Sequence, residues 1–116
     1  MTNLQEFQNR REEGNKNILD ENFLGFKRFL NLDTNAYLDG AIEAKNKELI
    51  GLACSMVLRC NDCITYHINQ CFEAKCSRQE IIEAMNIALI IGGSIVIPHL
   101  RYAYTIINEL FPQKDN

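Results

Sequence analysis

The sequence predicts an all-α fold, a single-domain helical bundle of roughly five to seven helices. Three observations predict it. Apolar residues recur at helical steps of three and four along the whole chain, and the strict apolar–polar alternation of half-buried strands does not occur. Ser77-Arg78-Gln79-Glu80 sets a serine three residues before a glutamate, the reciprocal pair that caps a helix start. With 116 residues, the chain is long enough to bury one core and too short for two independent ones.

Each element follows in order. The first dozen residues are polar and charged, so residues 1–20 read as a loosely held N-terminal helix or arm, apart from the domain at 21–116. Leu19, Phe23, Phe26 and Leu30, at steps of four, three and four, predict one amphipathic helix ending near residues 31–33. Asp39-Gly40 predicts a turn. From about Ala44 to Leu58 a helix carries Leu49, Ile50, Ala53, Met56 and Val57 on its apolar arc, with Glu48 at the edge. The next begins near Cys60, with Asn61 or Asp62 as its cap, and runs to about Ala74 with Ile64, Ile68, Cys71 and Phe72 facing the core. The helix opened by Ser77 carries Ile81, Ile82, Met85, Ala88 and Leu89 and becomes apolar on every side through Ile91, which predicts a central position. Gly92-Gly93 stops it, and a last helix with Ala103, Ile106, Ile107 and Leu110 precedes Phe111-Pro112 and a polar tail.

Composition removes several classes of function. A 47% apolar content fits a globular protein and argues against disorder. A net charge of -3, with acids and bases intermixed, offers no broad basic surface, so no nucleic-acid partner is expected. The start has no apolar segment of signal-peptide length, and the longest apolar stretch is broken at Gly92-Gly93-Ser94, so neither export nor a membrane span is expected. Five cysteines, an odd number, then read as thiols in a reducing compartment, and the expected location is cytoplasmic.

The chemistry concentrates in Glu48 and, twelve residues on, the run Cys60-Asn61-Asp62-Cys63-Ile64-Thr65-Tyr66-His67. On a helix, Cys60, Cys63 and His67 fall within one narrow arc. A neighbouring imidazole or a helix N-terminus lowers a thiol pKa from about 8.5 into the physiological range, so this spacing suits dithiol redox chemistry. If the chain reverses near Cys60, Glu48 lies within about one turn of His67 and its carboxylate can orient the ring and raise its basicity. Cys63, one turn before His67, is then the attacking thiolate, and Cys60, nearer the helix start, its resolving partner. Tyr66 and His99 are further candidates for the pocket wall. Taken singly, a helical cysteine is a small buried hydrophobe, the reading given to Cys54, Cys71 and Cys76. Two cysteines, a histidine and a carboxylate could also complete a tetrahedral zinc set, but a lone Cys-x-x-Cys without a second ligand pair ranks below redox, so neither metal nor cofactor is expected. A non-catalytic protein with a pocket for a small apolar ligand is the third class.

Glu48 with Cys60, Cys63 and His67 resembles the motif of the alkylhydroperoxidase D-like branch of the carboxymuconolactone decarboxylase superfamily. The resemblance extends from Leu38-Asp39-Gly40 through Ile50 to the helix start at Ser77 to Glu83 and the Gly92-Gly93 break, covering roughly residues 20 to 110. It implies an all-α fold, homo-trimers or homo-hexamers, and reduction of hydroperoxides through a Cys-x-x-Cys disulfide cycle, with a lipoyl, thioredoxin-like or other thiol electron donor. In the best-described members a histidine stands between the cysteines, where this chain has Asp62, a carboxylate that opposes thiolate formation at short range. The decarboxylase branch lacks the cysteine pair. The alternative is a carboxymuconolactone decarboxylase-like protein without peroxidase activity that binds a small ligand or a metal. An oligomer is expected from the residues as well, because the all-apolar helix and Ile95 to Ile97 carry more apolar surface than one small domain hides.

Overall fold

A computed structural model describes residues 1–112, and the expected polar tail after Pro112 lies outside the described residues. Six helices run in chain order: α1 (Asn3–Asp20), α2 (Leu24–Ala36), α3 (Ala44–Val57), α4 (Asn61–Glu73), α5 (Arg78–Gly92) and α6 (Ile97–Leu110), with a 3-10 turn at Ser94–Val96 before the last. No strand occurs among the described residues, so the all-α expectation holds. α3 packs against both α4 and α5, and α4 against α6. Leu52 and Met56 of α3, Ile64 and Ile68 of α4, Ile81 and Met85 of α5, and Ile106 and Ile107 of α6 fill the space between them, all buried.

Two helix ends share one device. α3 closes through Arg59 in the left-handed conformation (φ 60°), with the Arg59 amide donating to the Met56 carbonyl at 3.0 Å and the Cys60 amide to that of Ser55 at 3.1 Å. This double bond back into the last turn satisfies carbonyls that would otherwise lack partners. Cys60 is at once the N-terminal cap of α4, its Sγ accepting from the Cys63 amide at 3.2 Å. The cap therefore falls on Cys60 and not on Asn61 or Asp62, which already lie in the first turn. α4 ends the same way, at Lys75 (φ 70°), with Lys75 and Cys76 amides bonded to Phe72 and Cys71 carbonyls. An exposed lysine gains nothing from φ > 0, so Lys75→Gly should raise stability by about 0.5–1 kcal/mol, or about 2–4 °C in Tm. Thermal unfolding of the variant checks this, and an unchanged or lower Tm would contradict it.

The expected capping box at α5 is present, with Ser77 Oγ accepting from the Glu80 amide at 3.0 Å and Glu80 Oε1 from the Ser77 amide at 2.8 Å. That amide, with Lys45 beside it, holds the Glu80 carboxyl below its ordinary range. Gly93, at φ 78°, ends α5 where other residues would be strained.

Five expectations about packing change. The Leu19-Phe23-Phe26-Leu30 stripe spans two helices: α1 ends at Asp20, Asn22 turns left-handed, and α2 starts at Leu24 and continues to Ala36. α2 buries none of its residues, and Phe29 and Leu32 are 67% and 70% exposed. The N-terminal segment is docked at its start, with Leu4 and Phe7 buried and the Glu109 carboxylate of α6 accepting from the Leu4 amide at 3.0 Å and from Asn3 Nδ2 at 2.9 Å. Burial alone would raise the Glu109 pKa, yet these bonds hold it below the usual range. α5 is not central within the chain: Ile81, Met85 and Ala88 face inward, and Ile87, Ile90 and Ile91 face out. On α3, Ile50 is half exposed while Leu52 and Glu48 are buried, because the inward arc is centred between them. Phe72 sits at the core's rim, edge-on to Phe111.

Candidate functional site

The short α3–α4 turn brings Glu48 and His67 together, with His67 Nδ1 and Glu48 Oε2 3.2 Å apart. Both are buried, at 8% and 6% exposure. An ionised carboxylate only accepts, so Nδ1 carries the proton and donates. The ring lies directly over Gly51 of α3, where a Cβ would stand 2.7 Å from His67 Cε1. Glycine at this one position makes room for the imidazole.

The other ring nitrogen, Nε2, lies 3.4 Å from the Tyr37 hydroxyl. Burial, and after it the Glu48 charge, raises the Tyr37 pKa, so the phenol stays protonated. The His67 ring is thus held between the Glu48 carboxylate on one side and the Tyr37 hydroxyl on the other. Tyr37 follows the last turn of α2, and Lys47 of α3 fixes that end by donating from Nζ to the Ala36 and Leu38 carbonyls at 2.9 and 2.7 Å. The Asp39-Gly40 turn then feeds α3, with Asp39 Oδ1 accepting from the Ala44 amide at 2.7 Å.

Cys60 and Cys63 are joined by a disulfide, their Cα atoms 5.2 Å apart. Cys63 is the more exposed of the two. With Asp62, Tyr66 and His67 it lines one wall of a cleft of about 420 Å³ whose opposite wall is α1, through Phe7 and Arg10 among others. Arg10 Nη2 lies 3.8 Å from Asp62 Oδ1, and the Arg11 guanidinium sits 4.4 Å over the Tyr66 ring. Tyr66 meets His67 edge to face at 5.1 Å, and burial raises its pKa against the opposing pull of Arg11.

The structure thus brings Glu48, Cys60, Cys63, His67 and Tyr66 into one region and leaves His99 out of it. His99 does not line the cleft; its Nδ1 pairs with Asn61 Oδ1 at 2.8 Å on the first turn of α4. Cys71 and Cys76 are buried, and burial pushes both thiols up, away from reactivity. Cys54 departs from expectation, for it is exposed on the side of α3 near Tyr37. Among the described residues no group of three or more His, Cys, Asp or Glu is placed to hold a metal ion. No helix there is long and apolar enough to cross a membrane. Sequence reasoning missed Tyr37, Gly51 and Arg10. Tyr37 and Arg10 are thirty and fifty-seven residues from His67 and carry no local signal, whereas Gly51 opposite a helical histidine is a readable hint of close approach.

The model of the carboxymuconolactone decarboxylase family matches residues 25–104, and the chain belongs to that family. Two crystal structures of one Thermotoga maritima protein superpose with TM-scores of 0.88 and 0.86 at 49% and 48% identity. They cover 91% and 90% of this chain and 93% and 89% of theirs. One of them describes a carboxymuconolactone decarboxylase family protein suggested to take part in an antioxidative response. A family protein from Legionella pneumophila, in its apo form, shares the fold, with a TM-score of 0.85 at 23% identity over 92% of this chain and 96% of that one. An uncharacterised protein from Cupriavidus necator is 33% identical over 56% of this chain, a match that spans 55% of that protein's own length. Uncharacterised protein 4 in the cox locus of Paracoccus denitrificans is 27% identical over 71% of this chain and 74% of its own.

Proposed function

We propose that this protein is a thiol-dependent peroxidase that reduces hydroperoxides through a Cys60–Cys63 dithiol/disulfide cycle, acting in a reducing, cytoplasmic setting. One observation carries the reading: Cys63, already bonded to Cys60, opens into a cleft whose wall also holds His67, and Glu48 fixes that histidine from behind. The suggested antioxidative role of the Thermotoga protein points the same way.

In the reduced protein His67 Nε2 takes the Cys63 proton. The thiolate attacks the outer peroxide oxygen; the S–O bond forms, the O–O bond breaks, and the leaving alkoxide takes a proton from the imidazolium and departs as alcohol. The Cys60 thiolate then attacks the sulfenic sulfur, forming the disulfide and releasing hydroxide, which becomes water on protonation. A donor dithiol, lipoyl or thioredoxin-like, attacks the exposed Cys63 sulfur. Cys60 leaves as a thiolate favoured by the α4 N-terminus, where its sulfur already accepts an amide, and the donor's second thiol releases Cys63 as the donor is oxidised. Titration of the reduced protein with one equivalent of an alkyl hydroperoxide should remove two thiols, map the bond to Cys60 and Cys63, and leave Cys54, Cys71 and Cys76 free. An unchanged thiol count would overturn the proposal.

The same reading includes a homo-trimer or homo-hexamer. α2 lies outside the core, and its apolar residues, with Ile87, Ile90 and Ile91 of α5, form bare surfaces. The Cα radius of gyration is 15.0 Å, against about 13 Å for a compact chain of this length, which fits an element reaching out to a second copy. Light scattering after size exclusion should give three or six chain masses, and a stable single-chain mass at micromolar concentration would contradict this.

A further inference from the structure

Asp62 sits beside Cys63 in the chain, and its carboxylate disfavours the Cys63 thiolate. The structure supplies a counter-charge from an unexpected place. Arg10 of α1 faces Asp62 across the cleft at 3.8 Å, and Arg10, Asp62 and Cys63 line the same cavity. Both charged side chains are well exposed, so the pair contributes little to holding the fold together. What holds α1 in place is elsewhere: Leu4 and Phe7 in the core, Glu109 at the helix start, and Arg11 over Tyr66. α1 lies before residues 25–104, the span that the family model matches.

We propose that Arg10 is a positioning residue for the Cys63 thiolate, offsetting Asp62 across the cleft so that a carboxylate next to the reactive sulfur no longer opposes its ionisation. This rests on the reading of Cys63 as the attacking thiol. Among the charged and titratable groups around Cys63, Arg10 is the cation paired with Asp62. Arg11 is engaged on Tyr66, Asp33 reaches the cleft from α2, His67 is paired with Glu48 of α3, and His99 of α6 is paired with Asn61.

The test measures alkylation of Cys63 by iodoacetamide against pH, read by peptide mass spectrometry to separate it from the exposed Cys54. The parent is Cys60→Ser, in which serine keeps the α4 cap. Arg10→Gln should lower the thiolate fraction at pH 7 about two- to fivefold, the scale expected for a solvated charge several ångströms away, and high salt should shrink the difference. Arg10→Lys should keep most of the parent rate. Asp62→Asn, which leaves every α1 anchor untouched, should raise the thiolate fraction by a similar factor, and adding Arg10→Gln to it should bring the fraction back toward that of the parent. A pH profile identical in Arg10→Gln and parent, or an Asp62→Asn protein that reacts no faster, would overturn the proposal. No peroxide enters this measurement: shifted profiles in a protein that forms no disulfide with peroxide would remove the peroxidase reading and leave Arg10's role standing.

Discussion

Cys63→Ser is expected to abolish peroxide turnover, whereas Cys60→Ser should complete a single turnover and stop with a sulfenic acid on Cys63. The asymmetry follows from where the two sulfurs stand. Cys63 faces the cleft and shares its wall with His67, so a peroxide entering there meets Cys63 first. Cys60 lies at the junction of two helices, its amide closing the end of α3 and its sulfur capping α4. That position, at a helix N-terminus that favours an anion, suits a group that waits for the sulfenic sulfur one turn away. Neither change should unfold the protein, since serine is a better helix cap than cysteine and Cys63 is exposed. Loss of the attacking thiol should therefore cost all measurable turnover, and loss of the resolving thiol all but the first cycle. Mass spectrometry after one equivalent of peroxide, with a sulfenic-acid trap, reads the result. A sulfenic acid on Cys60 in the Cys63→Ser protein, with turnover retained, would reverse the roles.

How far the sequence speaks for itself depends on whether a contact is local. Glu48 and His67 could be paired on paper because one tight turn joins their helices, and register then follows from counting residues. The capping box at Ser77 is equally local and stands as expected. The failures are of two kinds. Periodicity ran through the left-handed turn at Asn22 because the apolar steps stay in phase across it, so two helices read as one. The end of α3 carries no glycine or proline, only Arg59 held left-handed by bonds that form once the turn is made, which places the cap at Cys60, ahead of the expected Asn61 or Asp62. Tyr37, Arg10 and Arg11 reach the site through tertiary docking of α1 and α2, which no spacing rule encodes. The apolar faces of α2 and α5 were legible as surplus but not as location, since burial within one chain and burial between chains leave the same pattern.

Gly51→Ala should lower peroxide turnover by about one to two powers of ten while leaving the fold intact, roughly 1.4 kcal/mol of barrier for each. Alanine favours a helix interior over glycine by about 1 kcal/mol, so α3 itself has no reason to unwind. The added methyl, however, would lie 2.7 Å from His67 Cε1 and 2.9 Å from Nδ1, closer than such atoms approach. The imidazole is buried among Glu48, Tyr37 and Tyr66, and so is the end that must yield. Moving it stretches a Glu48 bond that already stands at 3.2 Å, and the histidine loses the partner that fixes its tautomer. Glu48→Gln removes the same partner by another route and should slow the reaction comparably. In the double variant the two losses should not add, because both act through one ring. The imidazole resonances of His67 should shift in both single variants, and the Cys63 alkylation profile should move toward that of an unassisted thiol. Wild-type turnover in Gly51→Ala, with its His67 resonances demonstrably displaced, would sink the idea that Glu48 orients His67 for the reaction.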